Sequence, residues 1–289
     1  MKKGIVKGGL LLSIVASLFI ISGVNAESFY TNENGVQMTE EQYNKMVTLY
    51  QKEKTAVLTQ EEFDLYKDST ILSTESIIQK EVIVNGEVIS QEEVTEEEYN
   101  AYNADKDNDN SKSGGNSSYE TSYKRLTGTV VDNGNHHYSF VGSLYWKKVP
   151  KVRSYDVFAF RLLNFTYSGV TGTQTYFTSG GHSNIYYNTS SAGYKGLSNG
   201  AGISMNLKDG SNITNYSMTI TANLVGTNLS YGHGTVYVSY QHAKVDLTRA
   251  QSMSYSLSGT GLGGVIQFSS SGLTSSYDGM SGISVNGGF

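Results

Sequence analysis

The sequence predicts a mainly β protein: a C-terminal antiparallel β-sandwich preceded by a small acidic module of helices and one β-hairpin. Three observations predict it. Apolar residues recur at every second position through the C-terminal half, the mark of strands with one face on a core. Gly and Tyr number 32 and 22 of 289 residues, Pro occurs once and charged residues make up 16%, which argues against a long helical bundle and against a fully disordered chain. The halves also differ in charge. Residues 27–120 hold 21 acids against 7 bases, a balance of −14, and residues 121–289 hold 5 acids against 11 bases, a balance of +6. Cys is absent, which excludes disulfides, thiolate zinc sites and thiol catalysis.

The chain opens with Lys2, Lys3 and Lys7, an apolar run from Gly8 to Val24, and small residues up to Ala26. Residues 1–26 therefore read as a signal peptide cleaved between Ala26 and Glu27. The stretch Leu10–Ile21 is short of the roughly 20 apolar residues of a membrane-spanning helix. The mature protein is expected to be secreted and extracellular.

Residues 27–102 read as the acidic module. Met38-Thr39-Glu40-Glu41-Gln42-Tyr43, Leu58-Thr59-Gln60-Glu61-Glu62-Phe63 and Val94-Thr95-Glu96-Glu97-Glu98-Tyr99 repeat one helix-start signal. In each, Thr can cap the first turn, a Gln or Glu three residues on can return the bond, and the flanking apolar and aromatic residues form a hydrophobic staple. Helices are predicted near 39–54, 59–67 and 95–103. Between the last two, Ile77–Val84 and Glu87–Val94 flank Asn85-Gly86, a strong type I′ hairpin signal. The acids read as solvated helix faces. Residues 103–120, rich in Asn, Asp, Ser and Gly, read as a disordered linker. Asp105–Ser111 imitates the start of an EF-hand loop but lacks its Gly and its closing Glu.

The phrase Asn34-Gly35-Val36-x-Met38-Thr39, with Leu58-Thr59-Gln60-Glu61-Glu62-Phe63 after it, resembles a pattern of uncharacterised secreted Firmicutes proteins. The resemblance covers about 50 residues. It implies export and a surface or secreted life in a Gram-positive bacterium, and it carries no activity.

From residue 121 onward the alternation is explicit: Ile203, Met205, Leu207; Tyr216, Met218, Ile220, Ala222, Leu224; Val236, Val238, Tyr240; Met253, Tyr255, Leu257. Turn signals at Asp132–Asn135, Ser179–Gly181, Lys208–Ser211 and Ser258–Gly261 separate roughly ten strands at sandwich-like spacing. Residues 121–289 are thus expected to form a β-sandwich domain able to fold alone.

Catalytic chemistry finds little support in this half. It has no Glu, so paired-carboxylate catalysis falls to five Asp. Asp132 and Asp209 lie in turn sequences, and Asp156 and Asp246 have Arg153 and Lys244 nearby as default partners. The His residues, at 136, 137, 182, 233 and 242, form no short metal-ligand motif. Gly259-Thr260-Gly261-Leu262-Gly263-Gly264 matches G-x-G-x-x-G in letters but runs into Val265–Phe268, a strand and not a helix. No catalytic residue, metal or cofactor is expected. What remains is a basic aromatic patch: Trp146, the single Trp, then Lys147, Lys148, Lys151 and Arg153, with Arg161 one strand later. These six residues are the expected ligand-binding set. Their charge suits an anionic cell-surface polymer, glycan or membrane surface, whereas nucleic acid is disfavoured by the absence of a recognised binding motif.

The expected function is that of a secreted, non-catalytic binding protein. The alternative is a β-pore-forming toxin-like protein, in which Gly202–Leu224 supplies membrane hairpins. Its acidic module would contact the β domain and mask the basic patch until the linker is cut.

Overall fold

The computed structural model describes residues 28–84, 87–108, 119–227, 232–258 and 264–288. The expected signal peptide with its Ala26–Glu27 junction, the Asn85-Gly86 turn, residues 109–118 of the expected linker and all but Gly264 of the glycine run lie outside the described residues.

A short ribbon of β1 (Phe29–Thr31) and β2 (Gln37–Thr39) leads into α1 (Glu40–Tyr50), α2 (Lys52–Thr55) and α3 (Gln60–Asp64). Thr39 and Thr59 each cap a helix through a complete capping box, with Gln42 and Glu62 returning the bond. Next come β3 (Thr70–Val84), β4 (Glu87–Val94) and α4 (Glu96–Asn108), the last begun by the Glu98 amide donating to Thr95 Oγ1 at 3.2 Å. The second half runs β5 (Tyr119–Asp132), β6 (Tyr138–Trp146), β7 (Tyr155–Leu163), β8 (Phe165–Thr178), β9 (Gly181–Asn188), β10 (Tyr194–Leu197) and β11 (Gly200–Asn206). It ends with β12 (Ile213–Gly226), β13 (His233–Ala243), α5 (Arg249–Ser252), β14 (Tyr255–Leu257), β15 (Ile266–Phe268), α6 (Ser271–Ser275) and β16 (Tyr277–Gly288).

Two antiparallel sheets face one another, one ordered β4-β3-β5-β6-β12-β8-β9 and the other β10-β11-β7-β13-β16. The period-two pattern decides what lies between them. Phe140, Leu144, Tyr216, Met218 and Ile220 from the first sheet meet Phe158, Phe160, Ile203, Val238 and Ile283 from the second in one core. The intervening residues build two further layers. Val131 and Val141, on the outer face of the larger sheet, pack with Met46, Leu49, Tyr50, Phe63 and Tyr66 of the helical segment. Val157 and Ala159, on the outer face of the smaller sheet, pack with Tyr255, Leu257, Val265 and Phe268. All nine residues of β6 are therefore buried, since both of its faces are covered.

Four sequence expectations change here. The boundary between an acidic module and an autonomous β domain does not exist at residues 102–121. β3 pairs with β5 along its whole length, Thr70 opposite Asp132 and Val84 opposite Tyr119, so the predicted hairpin is the end of the larger sheet. Gln51 also donates to Thr127 Oγ1 at 2.7 Å, fastening the helices to that sheet. A charge break marks where solvent-facing acids accumulate; it carries no information about backbone pairing. A releasable masking pro-region conflicts with the same pairing, because removing residues 27–102 would bare β5 and strip one core. Both ends of the expected linker are also regular structure, since α4 continues to Asn108 and β5 begins at Tyr119. Finally, Gly202–Leu224 is not a hairpin. Its two strands belong to different sheets, and β12 is locked between β6 and β8.

Candidate functional site

At one end of the sandwich the chain leaves β6 and crosses to β7 in the opposite sheet. The crossover carries Lys147–Arg153 and the only Pro, Pro150, which has no N–H to offer a ladder. Opposite it stands the β3–β4 hairpin. Between them opens a cleft of about 700 Å³, with Val88 and Ile89 on one wall, Lys148, Lys151 and Arg153 on the other, and Trp146, His242 and Asp278 deeper in. Lys244, exposed just past β13, adds a fourth cation to the lining. That volume is within the usual range for small-ligand sites.

The floor is an ordered polar network. Lys124 on β5 is fully buried and lies 3.1 Å from Glu81 Oε1 of β3, while its ammonium also pairs with Asp278 of β16. Gln91 donates to both carboxylates, at 3.0 Å to Glu81 and 2.6 Å to Asp278. A buried charge is tolerable only when paired and hydrogen-bonded in this way. Beside this cluster, Asp156 is fully buried and accepts the Ala243 amide at 2.9 Å and the Tyr240 hydroxyl. His242 Nδ1 lies 3.1 Å from both Asp156 oxygens. Burial, and then the adjacent Asp156 carboxylate, hold the Tyr240 hydroxyl well above the ordinary tyrosine range.

The six predicted site residues do not stay together. Lys148, Lys151 and Arg153 line the cleft. Trp146 does not offer a stacking face: it is 2% exposed, donates its indole N–H to Tyr240 Oη at 3.1 Å, and meets His242 edge-on with ring centroids 4.7 Å apart. It lies in phase with Phe140 and Leu144, so the alternation of β6 turns it into the sandwich, where the indole reaches the cleft only as floor. Lys147 takes the opposite phase and lies over the rings of Tyr99 and Tyr102 on α4, at 5.8 and 4.9 Å. Arg161 is on β7, remote from the cleft, and donates to the Leu257 carbonyl at 2.7 Å. Arg153 is held by Asp209 and, at 2.9 Å, by the Gly210 carbonyl. Its expected neighbour Asp156 is thus left to His242.

His242, Asp278, Glu81 and Lys244 escaped the sequence-based site. A signal for the first was present. His242 is in phase with Val236, Val238 and Tyr240, and Asp156 with Phe158, Phe160 and Leu162, so both continue inward-facing series. Two inward polar residues at strand ends demand partners, and each supplies the other's. The remaining His residues are dispersed, with His136 and His137 exposed in the turn before β6, both outside any strand. His136 has a positive φ of 60° there. Among the described residues no three His, Asp or Glu gather as a metal-ligand group.

Fold and cleft together define an antiparallel β-sandwich with a cation-rimmed, ligand-sized opening at one end. No protein-family model and no curated protein matches the chain. Among solved structures, the C-terminal domain of the Streptococcus agalactiae AgI/II polypeptide BspA aligns at 7% identity and a TM-score of 0.25, over 60% of this chain and 75% of that one. A structure named BspA_C_mut aligns at 8% identity and a TM-score of 0.24, with the same coverage. At such scores the likeness carries no argument about this chain.

Proposed function

We propose that this is an exported, non-catalytic binding protein whose cleft receives an anionic group of a cell-surface polymer, glycan or membrane surface. One observation carries the reading: the sheet-to-sheet crossover and the end of β13 bring Lys148, Lys151, Arg153 and Lys244 to the lining of one cleft. The opposing carboxylates, Glu81 and Asp278, are both already engaged by Lys124. Cations at a concave, partly dehydrated rim concentrate anions there and add to affinity and on-rate. The basic, then apolar, N-terminal residues support export. A binding role also accords with a cleft whose two carboxylates are both held in one ion cluster by Lys124 and Gln91.

The test is co-sedimentation of the full chain with anionic and neutral vesicles and with a soluble polyphosphate, across a salt series. Lys151→Glu with Lys244→Glu should weaken anion binding about tenfold or more at low salt, with the difference shrinking as the Debye length falls to about 8 Å near 0.15 M. Lys147→Glu, beside α4 and outside the cleft, is the control and should change binding little. Salt-independent binding, or a Lys147→Glu loss equal to that of the double variant, would refute the cleft as the anion site.

A further inference from the structure

We infer that His242 is the specificity-determining residue of the cleft, offering Nε2 as a hydrogen-bond acceptor that favours phosphate esters carrying a hydroxyl group; this rests on the anion-binding reading above. β7 and β13 are paired with Val157 opposite Gln241, which sets Asp156 and His242 side by side at the strand ends. Asp156 is fully buried and already receives the Ala243 N–H and the Tyr240 O–H. An ionised carboxylate is acceptor-only, so the contact from His242 Nδ1, 3.1 Å from both oxygens, is a donated N–H. In the neutral form of the ring, a hydrogen on Nδ1 leaves Nε2 with a lone pair.

The ring is not free to exchange the two nitrogens. It is wedged edge-on against Trp146 at 4.7 Å, and its side chain is only 9% exposed, at the cleft. Asp156 thereby fixes the tautomer, as a second group behind a working imidazole does in other sites. The rim cations recognise charge and not the rest of the molecule. A lone pair beside them disfavours a bare anionic oxygen and rewards an O–H carried on the carbon skeleton close to the charged group. The ligand chemistry that satisfies both is a phosphorylated polyol, present either as a free ester or as the repeating unit of a polymer.

The experiment is calorimetric titration of the full chain with glycerol 3-phosphate and with n-propyl phosphate, at an alkaline pH where both are dianions. The two differ only in hydroxyl groups. The wild-type chain should prefer glycerol 3-phosphate by about three- to tenfold, the worth of one hydrogen bond. His242→Asn keeps an N–H for Asp156, and its shorter amide places no acceptor at the position of Nε2. It should abolish the preference by lowering glycerol 3-phosphate affinity to that of n-propyl phosphate. An equal loss for both phosphates would mean that His242 donates to the anion, and an unchanged preference would mean that it is not involved; either overturns the inference. Should His242→Asn fail to fold, equal affinity of the wild-type chain for the two phosphates still overturns it. If both bind equally and depend on Lys151 and Lys244, the cleft reading survives alone. If neither binds, both readings fall.

Discussion

Replacing Lys124 by Met tests the floor of the cleft. Met keeps most of the aliphatic stem and removes the ammonium, which lies over the Trp146 ring with its Nζ 5.1 Å from the centroid, so the change removes chiefly the charge. Glu81 and Asp278 are then left at 3% and 13% side-chain exposure without their cation. At an effective dielectric of about 20, a pair at 3.1 Å attracts by roughly 5 kcal/mol before desolvation is counted. Removing one member of a buried pair costs about 3–5 kcal/mol in practice. Because Lys124 joins β3, β5 and β16, this loss falls on the contact between the two sheets and is a large fraction of the roughly 5–15 kcal/mol available to a typical domain. Urea or thermal unfolding followed by circular dichroism should show Lys124→Met destabilised by that amount. Adding Glu81→Gln should recover about half of the loss, since Asp278 alone can then be hydrated. A Lys124→Met protein within about 1 kcal/mol of wild type would refute the reading of this cluster as a dry, mutually dependent set of charges.

The integral role of the N-terminal strands predicts that residues 121–289 alone lose cooperative thermal unfolding, whereas a full-length chain cut within 109–118 keeps its two pieces associated on a sizing column. Gly142→Ala should cost about 1–3 kcal/mol by overpacking, because a Cβ there would meet Phe140 Cζ at 2.9 Å and Ile220 Cγ2 at 3.0 Å; an unchanged melting temperature would contradict the packing described for β6. Thr39→Ala and Thr59→Ala should each lower stability by about 1 kcal/mol in chemical denaturation through loss of the capping boxes. Tyr66, Tyr187 and Tyr216 are pushed up to about 12, chiefly by burial. Their folded values exceed the unfolded one, so the stability they contribute is whole below about pH 10 and is lost as pH rises from there toward 12. Absorbance titration should show these phenols lagging behind the exposed ones, and a stability independent of pH over that window would count against it.

Much of the fold was legible because it follows from local periodicity and capping chemistry. The Thr39 and Thr59 helices start where the side chains say they must, and Tyr216 to Leu224 point inward in the alternation the sequence displays. A third complete capping box, Thr248 with Gln251, is hard to read in the sequence because it opens a helix of only four residues. What was not legible is pairing between distant segments. β3 is flanked by acids on its solvent side, which makes residues 27–102 look foreign to the basic half, yet its backbone completes the same sheet. The site suffered similarly: the run Lys147–Arg153 is contiguous in sequence, but alternation sends Lys147 to α4 and Trp146 to the core, whereas Glu81, His242 and Asp278 converge from three strands.

The route of the chain also bears on how it reaches this state. Gln91 meets Asp278 across 187 positions, and the Asn286 amide meets Ser73 Oγ across 213. Closing loops of that size must precede the contacts that reward it, which places the protein among slow, high-contact-order folders. While β16 is still missing, as on a nascent chain, β13 has an open edge and Lys124 lacks one of its two carboxylates. The native state therefore cannot be assembled progressively from the N-terminus, and the incomplete chain, with an exposed strand edge, is the species most prone to aggregate.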